Sequence, residues 1–369
     1  MKIALVHDHL AQDGGAEIVL RAFAEIWPEA PIFVLVHNPE QANAFFAQRD
    51  IRTSFIQRMP LGLRKYQWFF PLMPAAMEDF DLSGYDVVLS SSSSFAKGIV
   101  TRPGTMHINY CHTPTRFLWS DTHSYVDELG VNRVVKKIIP LFLSHIRMWD
   151  RLAAERADAM IANSTTVAKR IVKYYHREST VIYPPVNTKD FTVAEPSAVR
   201  EYFLAGGRLV PYKRFDLLVE AFNKLNRPLK IFGNGPECAE LKRQAHSNIE
   251  FVGRVSDAEL KKLYAECTAF LNPQEEDFGI TMIEAMAAGR PVIAYSKGGA
   301  AEIIEHGKTG LLIDYQTWED FADAVIGFDH TQFDPKHIRK RAQDFEHEVF
   351  KAQIRTFVEK EWHTFQKNY

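Results

Sequence analysis

At 369 residues the chain is long enough for two domains. It is 46% hydrophobic and 24% charged, with a formal net charge of -2, which argues against disorder and against general nucleic-acid binding. Cys111, Cys238 and Cys267 are an odd set without metal-ligand spacing, the pattern of a reducing cytoplasm rather than of a disulfide framework. No apolar run reaches membrane-spanning length, and the N-terminus turns polar too soon for a signal peptide.

Residues 2–6 read as a first core strand, ending at His7-Asp8-His9. Gly14 and Gly15 then open a helix to about Trp27, so strand, glycine turn and helix present backbone amides where an anion can bind. A tight turn without a ligand explains the same residues. Further strands are expected at Ile32–Val36, Ile51–Phe55, Asp86–Ser90, Gly98–Val100, His107–Tyr110, Ala159–Ala162 and Thr180–Tyr183. Ser164 caps a helix to about Tyr175, and Pro184-Pro185 mark the exit from the first domain, with a linker near 184–200. The alternation predicts a doubly wound parallel α/β sheet.

Within this half, Arg58 to Pro74 mixes basic residues with aromatics. Arg64, Lys65, Trp68 and Phe69 suit a bilayer interface, with Arg133, Lys136, Lys137 and Arg147 extending that face; a helix burying Trp68 and Phe69 in its own domain is the other reading. Asp79-Phe80-Asp81 has the form of a metal motif but precedes a strand, so a turn and no metal are expected. Cys111-His112-Thr113-Pro114 follows a strand, at the end where open α/β sheets place ligands.

The second half repeats the alternation. Strands are expected at Tyr202–Ala205, Leu229–Phe232, Ile249–Val252, Thr268–Leu271, Val292–Ala294 and Leu311–Ile313, and helices at Phe215–Leu225, Glu237–His246, Asp257–Cys267, Thr281–Ala288, Ala300–Glu305 and Trp318–Ile326. After the first of these strands, Arg208 and Lys213 are spaced to converge on a diphosphate, Arg as a fork and Lys as a point charge. Gly233 and the Gly253–Val255 turn each follow a strand. Gly307-Lys308-Thr309 lacks the earlier glycine of a P-loop.

The stretch Asn272–Tyr295 carries the densest signal. An acidic loop holding Glu276 leads through Phe278-Gly279 to a helix expected to be capped by Thr281 and ended by Gly289. A helix N-terminus offers unpaired amides and a positive dipole end to a diphosphate. Glu276 is placed to accept from sugar hydroxyls and Glu284 from a ribose diol, although Thr281-Met-Ile-Glu284 also fits a capping box.

Glu276-x7-Glu284 with Phe-Gly between, followed by Glu-Ala-Met-Ala-Ala-Gly-x-Pro-Val-Ile-Ala, resembles the signature of retaining GT-B glycosyltransferases of family 4. The resemblance implies two Rossmann-like domains facing across a deep cleft: 1–186 for the acceptor, 187–346 for the nucleotide sugar, and a C-terminal helix of about 347–369 crossing back. It implies that Glu276 contacts the donor sugar, that Glu284 binds ribose, and that the amides of Phe278, Gly279, Ile280 and Thr281 meet the diphosphate and sugar. Arg208 and Lys213 would hold the leaving phosphates, Gly14 and Gly15 would lie near them, and Gly233 and Val255 would meet the base. The His112 segment is similar to that of family members that transfer mannose in bacterial surface-polysaccharide assembly, where the His contacts the donor sugar.

The expected activity is therefore hexose transfer with retention, first from GDP-mannose and second from a UDP-sugar, to a glycan or polyprenyl-linked acceptor. No metal or cofactor and no nucleic-acid partner are expected. The expected location is the cytoplasm, with peripheral contact at the inner face of the membrane. A glycosidase fits poorly, because its two carboxylates stand about 5–9.5 Å apart whereas a helical 276–284 segment would separate these by about 12 Å. A nucleotide-sugar epimerase and a non-catalytic nucleotide-sugar-binding scaffold are the other classes.

Overall fold

The computed structural model describes residues 1–120, 122 and 133–368, with the backbone alone for 133–138 and 141. The side chains of Arg133, Lys136 and Lys137 lie outside the described residues. The chain falls into two compact units, Met1–Tyr183 with Phe350–Tyr369, and Pro184–Val349.

In the first unit the strands are β1 (Ile3–His7), β2 (Ile32–Val34), β3 (Ile51–Thr53), β4 (Val87–Ser92), β5 (Met106–Cys111), β6 (Ala159–Ala162) and β7 (Thr180–Val181). Among the described residues they form a parallel sheet in the order β3-β2-β1-β4-β5-β6-β7. Every residue of β1, β4 and β5 is buried, as a sheet covered on both faces requires. Helix Gly15–Ile26 packs Phe23 on Tyr110 and on Phe350 of the C-terminal helix His347–Asn368. That helix contributes Phe350, Ile354 and Val358 to the same core, one apolar residue per turn. Each such buried side chain contributes about 1.5–3 kcal/mol.

The second unit holds β8 (Phe203–Gly206), β9 (Leu229–Phe232), β10 (Ile249–Gly253), β11 (Phe270–Asn272), β12 (Val292–Tyr295) and β13 (Gly310–Ile313). Their order, again parallel, is β10-β9-β8-β11-β12-β13. Both sheets reverse direction of growth once, between β1 and β4 and between β8 and β11. At such switch points the connections leave on opposite faces and open a crevice at the strand C-termini.

Three expectations need correction. Gly98–Val100 is not a strand: Ala96–Gly98 is a 3₁₀ turn, because the Asp8 carboxylate takes the amides of Ser93, Ser94, Phe95 and Ala96 at 2.7–2.9 Å and curls that loop. Thr281 is not the helix N-cap: the helix runs Ile280–Ala287 and Gly279 caps it, at φ +110, a conformation that glycine adopts without a Cβ penalty. The capping box is absent with it, since Glu284 lies beyond the first turn and accepts from Tyr264 instead. Helix Pro335–Ala342 was not anticipated; Asp334 caps it and a proline opens it. Asp79-Phe80-Asp81 is the expected turn, with Asp81 accepting from the Ser83 amide and Phe80 packed on Phe33.

Candidate active site

In the second unit the switch point gathers the loops after β8 and β11. Lys213 closes a 3₁₀ turn, Pro211–Lys213, in the first of these loops. Its Nζ lies 2.8 Å from Glu276 Oε1, on the second. Gln274 Nε2 donates to the same carboxylate oxygen at 2.9 Å; Gln274 is buried, and its own Oε1 has no partner among the described residues. Arg208 is exposed at the start of the Lys213 loop, beside Gly207.

The Glu276 loop is fixed from a third side. The amide of Gly299, after β12, donates to Glu276 O at 2.8 Å, and Phe278 is buried with its ring 5.6 Å from that of Phe345. Gly279 then starts the helix, so the first helical amides, those of Ile280 and Thr281, face outward with no partner inside the helix. There is no acidic residue in that first turn to compete for them. A cation, a carboxylate and the amino end of a helix thus meet at two neighbouring strand ends, a set suited to an anion carrying a polyol.

Glycine turns flank this set. A Cβ at Gly233 would meet Gly207 O at 1.9 Å, so the loop after β9 can lie against the loop after β8 only without a side chain. The Gly233 amide donates to Gly253 O at 2.7 Å, which ties in the β10 turn that leads to Val255. One helix turn beyond the anion end, Glu284 Oε2 accepts from Tyr264 OH at 2.9 Å. Burial raises the Glu284 carboxyl to about 7, the Tyr264 hydrogen bond works against that shift, and Asp257 adds to it.

In the first unit the switch point brings His7 beside Ser91 in register. His112, just past β5, is buried, and its Nε2 lies 2.8 Å from Ser91 Oγ. Desolvation, reinforced by His7, lowers the imidazole to about 4, so the ring is neutral near pH 7. Gly14 caps the helix Gly15–Ile26, whose first turn carries the buried Glu17. The His9 ring lies tilted, 5.2 Å from that of Tyr66. The loop beyond His112 is anchored by Asp150, which accepts from Thr115 Oγ1, Trp119 Nε1 and Tyr175 OH and pairs with buried Lys97 at 2.6 Å.

On the outside of this unit Arg64 and Lys65 are exposed, Trp68 is 67% exposed with Lys65 Nζ 4.6 Å above its ring, and Phe69 is half-buried against the core. Among the described residues, no helix is long and apolar enough to cross a membrane.

Of the residues singled out from sequence, Lys213, Glu276, Gly279, Ile280 and Thr281 come together at the ends of two neighbouring strands, β8 and β11. Gln274, Tyr264, Ser91 and Glu17 were missed. Polar side chains of these types carry no local signature; Tyr264 and Ser91 are marked only by partners 20 and 21 residues away, Glu284 and His112, and Gln274 and Glu17 by contacts that spacing does not announce. Gly298-Gly299, separated by two residues from the end of β12, was the one available signal.

Two doubly wound parallel sheets, each with its polar residues at the switch point, are the GT-B class of nucleotide-sugar fold. The class narrows on comparison with known proteins. Residues 13–190 match the family model "Glycosyltransferase Family 4" and residues 188–345 the model "Glycosyl transferases group 1". The chain belongs to glycosyltransferase family 4, a family of retaining enzymes.

It is 38% identical over 136 residues to a GDP-mannose-dependent alpha-(1-6)-phosphatidylinositol monomannoside mannosyltransferase of Mycobacterium tuberculosis, covering 32% of this chain and 35% of that one. It is 25% identical over 305 residues to the alpha-1,3/1,6-mannosyltransferase ALG2 of Dictyostelium discoideum, 68% of this chain and 69% of that one. Over the first curated relatives it matches, from the mycobacterial enzyme to Bacillus subtilis YqgM, the chain spans between 35% and 54% of the relative's length. Anabaena HepE, solved in complex with UDP, superposes with a TM-score of 0.72 at 19% identity, over 98% of this chain and 100% of that one.

Proposed function

We propose that the protein transfers a hexose from a nucleotide diphosphate sugar to a glycan acceptor with retention at the anomeric carbon. The observation that supports this most is the 2.8 Å Lys213–Glu276 contact beside the Gly279-capped helix. Lys213 and Arg208, with the amides of Ile280 and Thr281, stabilise charge growing on the departing diphosphate. Glu276 and the amides of Phe278 and Gly279 hold the donor sugar in reacting geometry. Glu284 takes the ribose diol, and the Gly233 and Val255 turns admit the base. Gly14 and Gly15 add amides, and His112 contacts a sugar hydroxyl. Fixed cations fill the role that a metal ion plays elsewhere, and the leaving phosphate receives the acceptor's proton. Residues 1–186 serve the acceptor and 187–346 the donor.

GDP-mannose is the first donor, supported by the mannosyltransferase relatives. A UDP-sugar is the second reading, supported by the UDP-bound structural neighbour. A polyprenyl-linked glycan in surface-polysaccharide synthesis is the acceptor class, met at the cytoplasmic face of the membrane through Arg64, Lys65, Trp68 and Phe69. A thermal-shift screen with GDP, UDP, ADP and their sugars tests the donor, since a ligand that binds only the folded chain raises its melting temperature. GDP and GDP-mannose are expected to raise it most. No shift with any nucleotide would remove the proposal, and release of free nucleotide with sugar on an added acceptor separates transfer from epimerisation or sensing.

A further inference from the structure

The first unit holds a buried polar chain that leads to His112 and that the transfer chemistry otherwise leaves unused: Glu17, His7 and Ser91. His7 Nδ1 lies 3.1 Å from both the carbonyl oxygen and the hydroxyl of Ser91. His7 Nε2 lies 3.6 Å from Glu17 Oε1, and both side chains are 2% exposed. Gln12 Nε2 donates to that same Glu17 oxygen at 3.3 Å, which fixes the carboxylate from its other side. Ser91 Oγ in turn lies 2.8 Å from His112 Nε2.

The proton positions follow from what each atom can do. A carbonyl oxygen only accepts, so His7 Nδ1 carries a hydrogen toward Ser91. The contact of His7 Nε2 with Glu17 lies on the other ring nitrogen and leaves that assignment unchanged. Ser91 Oγ has one hydrogen; facing the Nδ1–H of His7 it accepts there, and its own hydrogen points to His112 Nε2. A neutral imidazole that accepts at Nε2 carries its hydrogen on Nδ1. His112 Nδ1 has no hydrogen-bond partner among the described residues and is not one of the chain's sealed-in polar atoms.

We propose that His7 and Ser91, steadied by Glu17, are positioning residues that fix His112 as its Nδ1–H tautomer, so that it donates to a sugar hydroxyl oxygen rather than accepting from the hydroxyl. The substrate-facing half of this statement rests on the sugar-contact reading of His112; the tautomer itself does not. A tautomer set in advance removes the reorganisation that a free imidazole undergoes when it meets its partner.

The test is a long-range ¹H–¹⁵N spectrum of the full chain labelled with ¹⁵N-histidine at pH 7.5, with the His112 signals identified by their loss in His112→Gln. The expected result is a protonated Nδ1 and a bare Nε2. In Ser91→Ala the His112 pattern moves toward the Nε2–H form and kcat/KM falls about tenfold, and Ser91→Thr, which keeps the hydroxyl, restores both. A wild-type His112 with its hydrogen on Nε2, or a pattern unchanged in a folded Ser91→Ala, overturns the proposal. The wild-type spectrum decides by itself if Ser91→Ala does not fold. If the tautomer is as stated but His112→Gln keeps wild-type kcat/KM, the chain stands and the sugar contact falls.

Discussion

Replacing Glu276 by Gln should separate nucleotide binding from sugar transfer. In the free protein Lys213 is engaged by the Glu276 carboxylate at 2.8 Å, and the two side chains are 12% and 18% exposed. A diphosphate arriving at Lys213 has to share that cation. In a largely sheltered pair of this kind desolvation offsets most of the Coulombic gain and leaves a net of about 1 kcal/mol, so neutralising Glu276 should tighten GDP by up to about fivefold. The donor sugar, by contrast, loses a charge-assisted hydrogen bond of about 1.5–3 kcal/mol, so kcat/KM should fall by about 10- to 150-fold. Gln at 276 preserves the volume and can still receive the Gln274 amide, so the loop fixed by Gly299 should stay in place. Isothermal titration with GDP, beside a transfer assay with the nucleotide sugar, gives both numbers. A parallel loss of GDP affinity and turnover would refute the reasoning, because it would make Glu276 an organiser of the phosphate site. Unchanged turnover would remove Glu276 from the sugar.

Other outcomes follow from the same geometry. Burial raises Glu284 from its unfolded value to about 7, so the folded chain holds a proton that the unfolded chain releases; stability present below about pH 4.5 is lost as pH rises to about 7. Discounted for residual exposure of this side chain, the loss is on the order of 1–2 kcal/mol. Denaturant unfolding at pH 5 and 7.5 should show it, and Glu284→Gln should abolish that slope. Transfer activity should survive EDTA, since Lys213 and Arg208 supply the positive charge; loss that added Mg²⁺ restores would count against them. Trp68→Ala should reduce binding to anionic vesicles severalfold in a flotation assay without moving the melting temperature, as expected of a 67% exposed ring; equal flotation of both proteins would end the membrane-face reading.

Much of the architecture was legible because a parallel sheet covered on both faces writes itself as short apolar runs closed by glycine turns. Phe215–Leu225 and Trp318–Ile326 fall where their amphipathic spacing puts them. The misreadings share a cause, a distant group overriding a local preference. Ile99-Val100 has strand propensity, but Asp8, 85 or more residues away, commands the amides that precede it. Thr281-x-x-Glu284 has the form of a capping box, yet a glycine with positive φ begins the helix and Tyr264 takes the acid. In the candidate site, residues that sit in one stretch, from Glu276 to Thr281, could be read directly. Lys213 against Glu276 could be suspected only from their chemistry, and Ser91 beneath His112 not at all, since nothing but strand order makes them neighbours.

Helices Gly15–Ile26 and Ile280–Ala287 both follow a glycine cap, and their sequences alone present both as anion sites. The structure sets them apart electrostatically. Helix Gly15–Ile26 carries Glu17 in its first turn, buried, with its Oε2 only 3.2 Å from where a Gly14 Cβ would stand. Burial would raise that carboxyl, but the contact with His7 brings it below the usual range, so it is charged near pH 7 and an anion at Gly14 meets it. Helix Ile280–Ala287 has no acid in its first turn, and Lys213 stands next to the loop that leads into it. The diphosphate is therefore predicted to gain far more from the second helix than from the first. Gly279→Ala forces a Cβ into φ +110 and should weaken GDP at least tenfold. Gly14 has φ -154, which any residue adopts, so Gly14→Ala should change GDP affinity less than about threefold, with the flexible Glu17 side chain yielding to the new methyl. Titration of both variants decides: a loss at Gly14 equal to that at Gly279 would mean that the amides of the first helix carry the phosphate despite the charge beside them.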